Sequence, residues 1–208
     1  MHIAIAGNIG SGKTTLAGLL AKELKFDVEY EDPTTNPYLS DFYKDMNRWA
    51  FHLQMYFLHT RLRTAVSIQT SGRDIVQDRT IFEDAYIFAP HLESLGSLSQ
   101  RDYETYKSLF DSVAQLIQPP DLILYLRASI SSLVDQIANR GRDYEDSIRL
   151  DYLRKLNERY ETWVQYYQTA KIGKIIEINV DDLKFHDNPE HLGEILNRVR
   201  GELFGLFT

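Results

Sequence analysis

The sequence predicts an α/β protein, a parallel sheet with helices on both faces, laid down as alternating strands and helices. Three observations carry that reading. A glycine-rich stretch, Gly7 to Thr14 (G-N-I-G-S-G-K-T), sits between a β-branched run and a helical repeat. Short apolar runs alternate with amphipathic stretches along the chain. The run "DLILYL" is continuously apolar, as expected of a strand buried on both faces of a parallel sheet. At 208 residues the chain fits a single α/β domain with a sizeable core.

The elements follow in order. "HIAIA" is a β-branched run closed by glycine, and "KTTLAGLLAKELKF" then carries Leu16, Leu19, Leu20 and Leu24 at helical spacing. "DVEYED" reads as a second strand, ended by Pro33 and Pro37. A long helix is predicted from about Tyr38 to Gln69. Its middle, "WAFHLQMYFL", is apolar on nearly every side, which calls for burial by the fold and by a further surface such as a subunit partner. "RDIVQD" makes a third strand. "TIFEDAYIFAPHL" is expected to be a helix stopped near Pro90, and "SQRDYETYKSLFDSVAQLIQ" an amphipathic helix capped by Ser99 and halted at Pro119-Pro120. After "DLILYL" come helical "SISSLVDQIANR", the basic link "RGRDYED", helical "IRLDYLRKLNERYETWVQYYQ", a strand "KIIEI" and a C-terminal helix. Such alternation implies right-handed crossovers and a three-layer sandwich.

Composition narrows the function. A formal charge of −7 disfavours a broad nucleic-acid surface, which would be basic. The absence of cysteine rules out a disulfide framework or a thiolate metal site and suits a reducing cytosol. The first residues do not resemble a signal peptide, and no run approaches the ~18 apolar residues of a membrane span. The expectation is a cytoplasmic protein with no membrane or nucleic-acid partner.

The G-x-x-x-x-G-K-[ST] pattern between strand and helix is a phosphate loop. Its glycines let backbone N–H groups turn onto phosphates, and the helix N-terminus adds partial positive charge. Gly7, Asn8, Ile9, Gly10, Ser11, Gly12, Lys13, Thr14 and Thr15 are the expected ATP-binding residues, with Lys13 on the β and γ phosphates and Thr14 on Mg²⁺. The D-x-x-G and N-K-x-D patterns of GTPase switches are missing, and "DIVQDRT" puts Arg79 where motor ATPases carry a glutamate. Small-molecule phosphotransferases remain.

Such an enzyme must bring an acceptor hydroxyl in line with the γ-phosphate, next to a proton acceptor and to cations. Glu31 ends the second strand at the carboxyl edge of the sheet, where sites on open parallel sheets collect, and could take that proton; taken alone it reads more readily as a solvated carboxylate beside a turn. Asp78 and Arg79 end the third strand likewise: Asp78 could order water on Mg²⁺ and Arg79 could orient the acceptor, or the two could be a surface ion pair. Gln54 and Arg61, two helical turns apart, share a face of the long helix; a buried Gln needs hydrogen-bond partners, and its amide matches a base edge. Arg61 in such a place would need a carboxylate. Arg140 to Arg142, "RGR", fits either a mobile lid or an exposed charged turn.

Taken together, "GNIGSGKTTL", "YEDPTTNPYLSDFYKD", "RWAFHLQMYFLHTR", "QDRTIFEDAYIF", "RGRDYED" with "LDYLRKLNERYETW", and "INVDDLKF" resemble the deoxynucleoside kinase family, most of all its bacterial deoxyadenosine/deoxyguanosine kinase branch. The family's Glu-Arg-Ser appears here as Asp78-Arg79-Thr80, and its Glu-Pro as Glu31-Asp32-Pro33; spacing to Asn36 and Pro37 favours Glu31 over Asp32 as the base. The resemblance implies a P-loop kinase fold: a five-stranded parallel sheet with helices on both faces and a short Arg-rich lid at about 140–146. It implies Glu31 as general base on a 5′-hydroxyl, with Arg79 and Lys13 completing the catalytic set. Gln54 would pair with the base, while Tyr43 and Glu145 hold the sugar 3′-hydroxyl. Arg140 and Arg142 would be lid arginines on the donor phosphates, and Asp181 and Asp182 would lie in the loop facing the donor adenine. Arg61 and Asp84 match an ion pair of purine- and deoxycytidine-accepting relatives, which tilts the acceptor toward a purine deoxynucleoside, deoxyadenosine before deoxyguanosine. Family members are dimers joined through helices, so a homodimer is expected, or a heterodimer with a paralogous chain. The competing readings are a thymidylate-type monophosphate kinase and a nucleotide-sensing module without turnover.

Overall fold

The computed structural model describes residues 1–142 and 148–205. Glu145, expected at the sugar, lies outside the described residues. Five strands form one parallel sheet in the order β2-β3-β1-β4-β5: β1 His2–Gly7, β2 Asp27–Glu29, β3 Ile75–Asp78, β4 Leu122–Arg127 and β5 Ile175–Asn179. The sequence-based expectation of a five-stranded parallel sheet with helices on both faces is met. Alternation along β1 and β4 divides the core into two layers. Ile3, Ile5, Leu122 and Leu124 face α1 (Lys13–Leu24) and α9 (Pro189–Phe204), whose Leu16, Leu20, Ile195 and Val199 cover them. Ala4, Ala6, Ile123 and Tyr125 face the other way, into a cluster completed by Leu53, Leu58, Tyr106, Phe110 and Tyr160. Nearly all of β1 and β4 is buried, which is why both read as unbroken apolar runs.

Two helices depart from the expected pattern. The long one is two: α2 (Leu39–Lys44) and α3 (Met46–Ser71). Asp45 between them leaves helical geometry (φ −145°, ψ 85°), and its carboxylate accepts from Arg48 N at 3.2 Å, so it caps α3. The helix expected to stop near Pro90 runs on instead, as α4 (Ile81–Glu83), a π segment (Asp84–Phe88) and α5 (Ala89–Ser94). A proline inside a regular helix removes one hydrogen bond and crowds the carbonyl four residues back. Here Ala89 N–H reaches Asp84 O, five residues back, and this widened turn takes up the mismatch. The remaining helices are α6 (Gln100–Ala114), capped by Ser99 as expected, α7 (Ile130–Arg140) and α8 (Leu150–Thr169). No helix among the described residues is long and apolar enough to cross a membrane.

Strand order reverses at β1, which has β3 on one side and β4 on the other. The carboxyl ends of β1, β2 and β3 therefore converge on one crevice. Glu31 lies two residues past the end of β2, in the connection to a 3₁₀ turn at Pro33–Thr35, rather than on the strand itself.

Candidate active site

The phosphate loop leaves β1 and enters α1 through two left-handed glycines, Gly10 (φ +84°) and Gly12 (φ +88°). A Cβ on Gly10 would lie 2.8 Å from the Leu133 carbonyl, so only glycine lets the loop press against α7. Asn8, buried, ties the loop to α8: its Nδ2 donates to Leu153 O at 3.0 Å and to Asn157 Oδ1 at 3.3 Å. Lys13 Nζ curls back to donate to Asn8 O at 2.8 Å. Burial, then the neighbouring Arg79, pushes the Lys13 ammonium down to about 7.

Thr14 Oγ1 donates to Asp78 Oδ2 at 2.5 Å, and Asp78 Oδ1 is buried with no partner among the described residues. Burial raises the Asp78 carboxyl above its ordinary range. A hydroxyl and a carboxylate with one unclaimed oxygen, beside a phosphate loop, form a donor set that fits Mg²⁺.

Glu31 and Arg79 meet opposite the loop. Arg79 Nε donates to Glu31 Oε2 at 2.9 Å, and Arg61 pairs with the other oxygen, Oε1. Burial alone would push the Glu31 carboxyl up; Arg61, then Arg79 and Lys13, hold it down instead, at about 2. Arg61 also pairs with Asp84, and its guanidinium lies over Phe57 with its centre 4.5 Å from the ring centroid. The partner that a buried Arg61 demanded is thus two carboxylates. Burial raises the Asp84 carboxyl, to about 6, against the pull of Arg61.

These groups line a cleft of about 780 Å³ between the loop and α2/α3, together with Tyr43 and Gln54. Gln54 is 2% exposed, and its Oε1 has no hydrogen-bond partner among the described residues. A buried amide oxygen left unpaired awaits a ligand donor. Arg140 and Arg142 border the same cleft, on either side of Gly141, which ends α7 in a left-handed turn. Pieces from β1, β3, α2, α3 and the end of α7 are thereby drawn to one cavity.

A second cleft of about 730 Å³ lies on the other side of the loop, against Gly12 and Thr15. Its far wall is Val180, Leu183, Lys184, Phe185 and His186 rather than Asp181 and Asp182. Those two carboxylates are occupied locally: Asp181 accepts from Ser129 N at 2.9 Å, at the start of α7, and Asp182 from Asn179 Nδ2 at 2.6 Å. Sequence reasoning missed Phe185, although an aromatic three residues past the acidic pair was its visible sign. It also missed Asn157, Glu83 and Tyr160, whose buried contacts join segments far apart in the chain.

Comparison with known proteins adds a family to this geometry. A sequence-family model described as "Deoxynucleoside kinase" matches residues 3–204. The deoxyadenosine/deoxycytidine kinase of Bacillus subtilis (strain 168) is 34% identical over 199 residues, 95% of this chain and 90% of that protein. The deoxyadenosine kinase of Dictyostelium discoideum is 39% identical over 195 residues, 94% of this chain and 77% of that protein. Among solved structures, the deoxyadenosine kinase of M. mycoides with products dCMP and a flexible dCDP superposes with a TM-score of 0.84 at 29% identity, covering 97% of this chain and 100% of that one. The same enzyme with bound dATP gives 0.82, covering 96% and 100%.

Proposed function

This chain belongs to the deoxynucleoside kinase family, and we propose that it transfers the γ-phosphoryl group of ATP to the 5′-hydroxyl of a purine deoxynucleoside, deoxyadenosine before deoxyguanosine, in nucleotide salvage. The observation that carries the reading is a carboxylate facing the phosphate loop across a cleft whose far wall holds a glutamine amide oxygen with no partner among the described residues. The names of the relatives support it: two are kinases of deoxyadenosine.

In this reading the deoxynucleoside lies along α3 with its base edge on Gln54, whose Oε1 accepts from an exocyclic amine. Tyr43 and Glu145 take the sugar 3′-hydroxyl. Glu31 accepts the proton of the 5′-hydroxyl as that oxygen bonds to the γ-phosphorus and the bond to the β-phosphate oxygen breaks, leaving ADP and the 5′-monophosphate. Arg79 orients the acceptor oxygen, Lys13 and the loop N–H groups hold the β and γ phosphates, and Arg140 and Arg142 close over them. Thr14 and, through water, Asp78 would hold Mg²⁺, which when bound would neutralise charge on the transferring group. The donor base enters the second cleft beside Phe185. Arg61 is shared between Glu31 and Asp84; a purine edge that draws its donors away leaves Glu31 a stronger base. We propose a cytoplasmic dimer joined through helices, of two copies or with a paralogous chain.

The test is an assay of the purified protein with Mg-ATP against the four deoxynucleosides and their monophosphates. The expected result is 5′-monophosphate formed fastest from deoxyadenosine and deoxyguanosine. Turnover of the monophosphates instead would point to a thymidylate-type enzyme.

A further inference from the structure

We propose that Glu83 and Tyr160 are positioning residues, a buried cradle that holds Arg79 against Glu31 and fixes its aim before substrate arrives. This rests on the kinase reading above. Neither residue is among those lining the substrate cleft, and both are fully buried, at 0% exposure.

Arg79 leaves β3 with φ +67°, a left-handed conformation that a non-glycine residue keeps only where its surroundings enforce it. Its backbone N–H donates to Ile5 O at 3.0 Å, which seats the turn on β1. The guanidinium then spends its remaining donors inward. Nη1 donates to the Tyr160 hydroxyl at 2.8 Å and reaches Glu83 Oε1 at 3.5 Å; Nη2 donates to Gly7 O at 3.3 Å. Tyr160 passes the contact on, donating its own proton to Glu83 Oε1 at 2.8 Å. That same oxygen accepts from Gly7 N at 3.2 Å, and Oε2 accepts from Thr80 N at 2.9 Å. One carboxylate therefore fastens the first residue of the phosphate loop, the turn after β3 and, through Tyr160, helix α8.

A buried carboxylate is costly unless charge and hydrogen bonds compensate it, and here Arg79 supplies the charge. The compensation works in both directions during turnover. Glu31 is neutralised as it takes the acceptor's proton, and Arg79 then keeps Glu83 as its carboxylate partner. The guanidinium stays charged, paired and aimed at the reacting oxygen throughout. A role confined to capping α4 would need only the bond to Thr80 N, and it leaves the Tyr160 hydroxyl without a purpose.

Tyr160→Phe removes that hydroxyl and little else. On the preferred deoxynucleoside its kcat is expected to fall about tenfold, the scale of a small misplacement at a reacting centre, with both KM values and the thermal midpoint nearly unchanged. Glu83→Gln, which keeps the shape and loses the charge, should fall at least as far, and the double variant no further than the worse single one, since both act on one group. A loss confined to KM or to the thermal midpoint, or fully additive losses in kcat, would overturn the proposal. Labelling arginine Nε with ¹⁵N adds a readout independent of turnover. The Arg79 Nε–H resonance, assigned by its absence in Arg79→Lys, should be sharp and slow to exchange in the wild type and broadened in Tyr160→Phe. An unchanged resonance would sink the cradle, whereas a wild type inert on every deoxynucleoside would sink the kinase reading and leave the cradle to stand or fall on the spectrum.

Discussion

Glu31 sits between two guanidinium groups, and that placement decides how strong a base it can be. With its carboxyl held at about 2, the group is ionised at any working pH; its contribution to stability is present above its ordinary 4.5 and is lost only as pH falls toward 2. Glu31→Gln keeps the size and removes the proton acceptor, so kcat should fall by about 10²–10⁴ while the KM for ATP changes little, as steady-state kinetics would show. Arg61→Met removes the nearest positive charge from Glu31 and the donors offered to a purine edge. It should cost activity on deoxyadenosine more than on thymidine, and move the acid limb of kcat/KM upward because burial then acts on Glu31 with less opposition. Equal losses on both nucleosides would reject Arg61 as a selector of the base. At this scale the sequence exposed the types and spacing of the groups, Gln54 with Arg61 above all. It did not expose that Arg61 serves two carboxylates, because Glu31 and Asp84 reach it from different elements.

Elements carry these groups by packing as much as by hydrogen bonding. Gly10 lets the phosphate loop lie on α7, where a Cβ would also meet Ile137 Cγ1 at 2.9 Å. Gly10→Ala should lower ATP affinity by at least about tenfold, read by calorimetry, since the strained φ and the clash both displace the loop. On the opposite layer, His91 of α5 is fully buried, has no hydrogen bond at either ring nitrogen among the described residues and packs 4.7 Å from the ring of Tyr152 on α8. Burial, with Arg159 and Lys155 adding to it against Asp151, pushes the imidazole down to about 4. The unfolded chain therefore binds this proton first, and stability must decline as pH falls from 6.5 toward 4. Denaturant midpoints across that window should separate wild type from His91→Phe, the variant lacking this part of the decline; parallel curves would contradict the assignment. The start of α6 at its Ser99 cap was legible in the sequence. The break at Asp45 was not, because no proline or glycine marks it, and the π turn before Pro90 was not, because only tertiary packing favours a widened turn over a stop.

Across the whole molecule, alternation of strands and helices was enough to foresee a parallel sheet, and the phosphate loop was enough to place its crevice. The convergence of Glu31, Asp78, Arg79 and Gln54 followed from the reversal of strand order at β1. Contacts that cross the molecule were invisible to pattern: Tyr160 meets Glu83 across 77 positions, and Asn157 meets Asn8 across 149. The central claim is that the carboxylate of Glu31 meets the 5′-hydroxyl of a deoxynucleoside whose base rests on Gln54. A crystal structure with deoxyadenosine and a non-hydrolysable Mg-ATP analogue measures this directly. The expected result is a hydroxyl oxygen within about 2.6–3.2 Å of Glu31 and an adenine edge bonded to Gln54. A primary alcohol pointing away from Glu31, or a base bound elsewhere than along α3, would contradict it.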